Sequence, residues 1–170
     1  MSNDTELIQN SSLDKNTKKI CDLVLLMMNV DNVAQQTRDA IIAMVDLTLN
    51  SDTYIVLIRQ QVTAIISDGT VNQNDLPAIL TIVLQSKVFL QSILASGVKI
   101  VVNLDMGTLK YIIYAVIHLV MILENANPAV IMSLETSFSP LWNLVSINPL
   151  ELVSSVSLIT NKCFPCFYRK

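Results

Sequence analysis

Apolar positions recur at helical spacing in segment after segment of this chain, and short polar stretches mark the interruptions. Ile20, Leu23, Val24 and Met27 follow steps of three and four, which predicts a helix from Asp14, its cap, to a break at Asn29 to Asn32. Val33, Ile41, Met44 and Val45 lie towards one side of a second helix, Asn32 to Leu49, with Gln35, Asp39, Asp46 and Asn50 as its wet stripe. Ile55, Ile58, Val62, Ile65 and Ile66 form the seam of a third, capped at Asn50-Ser51-Asp52 and closed by Gly69. Asp75 is placed to cap a fourth, with Leu76 and Pro77 in its first turn, running to Ser96 before Gly97. Its polar line is narrow, Thr81, Gln85, Ser92 and Ser96, so this helix is either central or shared with a partner.

Val98 to Val102 is β-branched, but no second strand is present to pair with it, which favours a loop or irregular helix. Asp105 caps a fifth helix, Leu109 to Leu123, on which Lys110, Tyr114, His118 and Asn125 make the only polar line. Its apolar run from Tyr111 is shorter than the roughly 20 residues of a spanning helix, so it reads as a buried core helix. Beyond Asn125 to Pro128, Ala129 to Leu134 reads as a short helix, Pro140 and Pro149 bracket Leu141 to Val145, and Pro149 to Ile159 can form a last helix. The pattern as a whole predicts an all-α fold, a bundle of five to six helices with short capped turns. Residues 1–13 read as a polar flexible arm, 14–160 as a single helical domain and 161–170 as a Cys-containing C-terminal tail.

Composition adds that the surface is short of charge. Of 170 residues, 52% are hydrophobic and only 15% charged, against about a quarter charged in an ordinary soluble domain. The surplus of apolar side chains has to meet core, protein or lipid. The net charge of −3 comes without a basic stripe, which argues against nucleic acid as a partner. Met1 to Lys19 holds no apolar core of a secretory signal, so an intracellular location is expected. Three cysteines, Cys21, Cys163 and Cys166, are too few for a disulfide framework.

Chemistry-bearing motifs are sparse. Asp68-Gly69-Thr70-Val71-Asn72 through Asp75 matches the second half of an EF-hand loop, but Ala64 and Ile66 stand where the first oxygen ligands belong. The loop is expected to turn the chain without a metal. His118 is the only histidine, and the acids Asp14, Asp31, Asp52, Asp75 and Asp105 fall at predicted helix starts, where capping accounts for them. With Gly69, Gly97 and Gly107 as the only glycines, neither a phosphate loop nor a nucleophile elbow can be built. No enzyme and no cofactor is expected. Cys163-Phe164-Pro165-Cys166 has redox-motif spacing but too little chain after it for the helix that activates such thiols, so an unmodified tail is the favoured reading, with intermolecular contact, a disulfide or acylation as its other uses.

The order Ile66-Ser-Asp-Gly-Thr-Val-Asn72, then Asn74-Asp-Leu-Pro-Ala-Ile79, resembles short helical proteins of large DNA viruses, of the minor capsid or cement type. The resemblance implies a virion location and a structural role. Together these readings predict a non-enzymatic interaction protein that binds other protein subunits in a homo- or hetero-oligomer. Its contact residues are expected to be Leu76, Ile79, Leu80, Val83 and Leu84 on the fourth helix, with Leu141, Trp142 and Leu144 near the C-terminus. Two alternatives stay open. One is a membrane-associated protein with a lipid-proximal or acylated tail. The other is a viral helical signalling module that grips a partner helix, although Trp142 sits in Leu-Trp-Asn and not in the Asn-Trp-Gly-Arg signature of such grooves.

Overall fold

The computed structural model describes residues 3–100 and 102–147. They form six α-helices: α1 (Asn3–Val30), α2 (Gln35–Leu49), α3 (Asp52–Ile66), α4 (Leu76–Ala95), α5 (Met106–Leu123) and α6 (Pro128–Ile147), with a 3-10 turn at Gln73–Asp75 before α4. There is no strand among the described residues, and the fold is an all-α bundle. The expected helix at Pro149 to Ile159, and both Cys163 and Cys166, lie outside the described residues.

The architecture follows from α5. Every residue from Tyr111 to Met121 is buried, as a helix that is apolar all round requires. The other five helices each pack against it. Around this axis Ile20, Val24 and Met28 of α1, Ile41 and Met44 of α2, and Ile58, Val62 and Ile65 of α3 close the core with almost no exposure. Tyr114 and His118, expected on a polar line, are only 4% and 2% exposed, so that line faces other helices and not water.

Helix ends obey local chemistry. Asn32 and Asn125 take the left-handed conformation, with φ of 55° and 53°. Beyond them Val33 N–H returns to the Met28 carbonyl (3.0 Å) and Ala126 N–H to that of Met121 (2.9 Å), the bonding that closes a helix with a left-handed residue. Gly69 and Gly97 also take positive φ after α3 and α4, 81° and 93°, and bond their own N–H groups to the Ile66 (3.2 Å) and Leu94 (3.4 Å) carbonyls. At the starts, Ser51 accepts the Tyr54 N–H (3.4 Å) and Asp105 accepts the Thr108 N–H (2.8 Å). α2 and α3 meet at 84° across this Asn50-Ser51 corner.

Several boundaries depart from the sequence reading. α1 begins at Asn3 and not at Asp14, so the stretch read as an arm is helical from Asn3. No Gly or Pro interrupts residues 3–30, and a helix already nucleated extends at little cost. Asp31 caps nothing; it bridges α1 to α5, accepting from Lys110 Nζ and Tyr111 Oη, each at 2.8 Å. The segments on either side of Pro140 are one helix, α6. Both Pro140 and Thr136, whose carbonyl loses its usual N–H partner, are exposed, so water satisfies the freed group.

Candidate interaction surfaces

α4 is where the sequence placed most of its contact residues. Ile79, Ile82, Val83, Ser86 and Leu90 form its inner stripe, all buried. Ser86 donates to the Ile82 carbonyl, which leaves its oxygen to accept from Tyr54 Oη of α3, while the Tyr54 ring stacks on Phe89 at 4.5 Å. Burial pushes the Tyr54 hydroxyl well above its ordinary range and keeps it a neutral donor. With its inner side fixed this way, α4 turns Leu84, Val88 and Ala95 outward at steps of four and seven, while Leu80 packs against the edge of the core. Leu80 and Leu84 are half-buried, Ala95 is exposed and Val88 is 67% exposed. Lys87 is the only charge on the helix.

The expected contact residues therefore divide. Ile79 and Val83 are 1% and 3% exposed, and Leu141 and Trp142 are 3% and 4% exposed; all four belong to the chain's own core and present no surface. Leu76, Leu80 and Leu84 are half-buried, and Leu144 is 42% exposed. Val88, which the sequence reading passed over, is the most exposed large apolar residue of α4. Its place four residues after Leu84 was the available signal.

The turn before α4 consumes its own polar groups. Asp68 accepts the Thr70 N–H (3.0 Å) and the Asn72 side-chain amide (3.2 Å), while Asn72 accepts the Asn74 N–H (2.9 Å). These bonds, that from Thr70 first, hold the Asp68 carboxyl below the usual carboxylate range. Asp75 was expected to cap α4 directly. It reaches back instead to accept the Asn72 N–H (2.8 Å), completing a reciprocal capping box. Its burial pushes that carboxyl up, with Asp68 adding to the effect. Val71 N–H donates to Ser133 Oγ (2.9 Å), tying the turn to α6. These roles are those of a stapled turn.

Burial shifts the titratable groups Cys21 and His118. Cys21 is half-buried, and burial, then Asp46 and Asp22, push its thiol up and away from the nucleophilic thiolate. Burial lowers the His118 pKa, against the pull of Glu135, and its ring meets the Tyr114 edge at 5.6 Å. Among the described residues its Nδ1 has no hydrogen-bond partner, and no group of three His, Cys, Asp or Glu is placed to hold a metal.

Comparison with protein-family models, with curated proteins and with solved structures finds no match to this chain.

Proposed function

We propose that this chain is a non-enzymatic subunit of a larger protein assembly, joined to its neighbours through the outer seam of α4. One observation carries the reading. Residues Gln73–Ala95 are apolar enough to cross a membrane, yet only 28% of that window is buried inside the chain. The corresponding figure for α5 is 72%, the value of a helix that has found its partners. Leu84, Val88 and Ala95 are what α4 leaves over. A permanent interface, more apolar than ordinary surface and covering about 800 Å² per partner, is the kind of contact that suits them. The viral resemblance of residues 66–79 extends this to a particle component. Mass spectrometry of purified particles checks that extension: a fixed copy number supports it, and absence from particles contradicts it.

The length and hydropathy of α4 and α5 favour lipid as a second reading, since two helices, Gln73–Ala95 and Met106–Leu123, are long and apolar enough to span. Two features weigh against it. α5 is wrapped by the other helices, and Lys87 is exposed near the middle of α4. At the centre of a bilayer that lysine costs about 2.5–3.5 kcal/mol. Sedimentation with anionic and neutral vesicles separates the readings: protein left in the supernatant favours an assembly, and protein pelleting with both vesicle types favours lipid.

A further inference from the structure

Between α1 and α6, over α5, lies an open groove of about 220 Å³. Tyr114 floors it, Leu23, Leu26 and Met27 wall it on α1, and Phe138 and Glu135 wall it on α6. The α1 wall is also a ridge: Leu23, Leu26 and Val30 follow at steps of three and four, and Leu26 and Val30 stand 61% and 73% exposed. An apolar ridge beside an apolar groove is self-complementary, the property that a two-fold contact between identical chains requires. Two charges flank the groove. Lys19 on α1 and Glu135 on α6 are both exposed and both act on His118 of α5, so they stand at about the same height, a cation on one wall and an anion on the other. Neither is in an ion pair among the described residues. Asp22, the next charge along α1, is exposed but takes no part in the lining.

We propose that this face docks a second copy of the chain, about a two-fold axis parallel to α1 and α6. The helix directions permit it. Asp31 at the end of α1 bonds Lys110 and Tyr111 at the start of α5, and along α5 Tyr114 meets Phe138 while His118, one turn on, feels Glu135, so α5 runs opposite to both α1 and α6 and those two are parallel. A two-fold axis along them exchanges the walls: each α1 ridge enters the partner's groove, and Lys19 of each copy comes opposite the partner's Glu135. An axis across the helices would lay α1 on α1 and pair neither charge. The charges therefore select the axis. Few side chains take part, and an interface this small is weak. It closes at high concentration, or between copies already held together, and a chain with this contact alone is monomeric when dilute. This inference is independent of the α4 interface.

Nitrogen-15 NMR tests it in the full chain carrying Leu84→Glu/Val88→Glu, where the α4 seam cannot contribute. Between about 0.05 and 2 mM, a range that brackets a Kd near 1 mM, amides of residues 23–30 and 135–139 are expected to shift with concentration, and those of α3 to stay in place. Lys19→Glu alone and Glu135→Lys alone each set like charges face to face twice in the pair, and each should cut that shift by about fivefold or more. An equimolar mixture of the two single variants should restore it, because in the mixed pair both reversed charges meet their opposites. Lys19 and Glu135 are exposed, so their reversal leaves the bundle intact, and unchanged α2 amides confirm that in the same spectra. No concentration dependence, or single reversals without effect, overturns the proposal. A mixture that stays at the level of its components assigns the two charges to a contact within one chain and overturns it equally.

Discussion

At the scale of single residues, His118 is a core group whose charge state matters to folding. His118 is surrounded by α5's neighbours, with Tyr114 against its ring, Glu135 favouring its charged form and Lys19 opposing it. Burial outweighs Glu135 and lowers its folded pKa below the ordinary 6.5. The unfolded chain then binds the proton more readily than the folded one, so stability is complete above about pH 6.5 and declines as the pH falls towards the lowered folded value. The melting temperature is expected to drop between pH 7.5 and 5.5, and His118→Gln should flatten that slope. A wild-type melting temperature that rises over the same interval would refute the assignment. The Asp31 carboxyl moves the same way, lowered first by its hydrogen bond from Lys110, but its decline sets in only near pH 4.

Elements show where the sequence could be read and where it could not. Apolar runs located every helix of the described bundle, and Asp105, Gly69 and Gly97 act as read. A left-handed residue and an N-cap answer to the local backbone alone, so they leave a local signature. Pro140 misled because the penalty for proline inside a helix is real but finite. α6 absorbs it where the freed carbonyl meets water and Phe138, Leu141 and Trp142 hold both flanks in the core. Replacing Pro140 by Ala should restore the missing bond and raise stability by about 1–3 kcal/mol, read from urea unfolding. The capping box before α4 makes the opposite prediction. Asp75→Ala should lower stability by about 0.5–2 kcal/mol, because it strands the Asn72 N–H, whereas Asp75→Asn retains an acceptor and should lose less.

For the whole molecule, the decisive question is which apolar faces find partners within the chain. Periodicity could not answer it for α4, because apolar residues occupy most of its circumference and inner and outer sides look alike in sequence. Tertiary packing chose Ile79 and Val83 for the core and left Leu84 and Val88 outside. It likewise drew Leu141 and Trp142 inward, where Trp142 stacks on Phe138 at 5.7 Å. α5 was legible because no choice of face existed. The described residues form a bundle around α5, which is buried from Tyr111 to Met121, with an apolar seam on α4 that none of the described residues covers. Sedimentation equilibrium over a hundredfold range of concentration tests that seam most directly, comparing the wild type with Leu84→Glu/Val88→Glu. The account predicts an oligomer that persists on dilution in the wild type and a folded monomer in the variant. A wild type that is monomeric throughout, or a variant whose mass is unchanged, would contradict it.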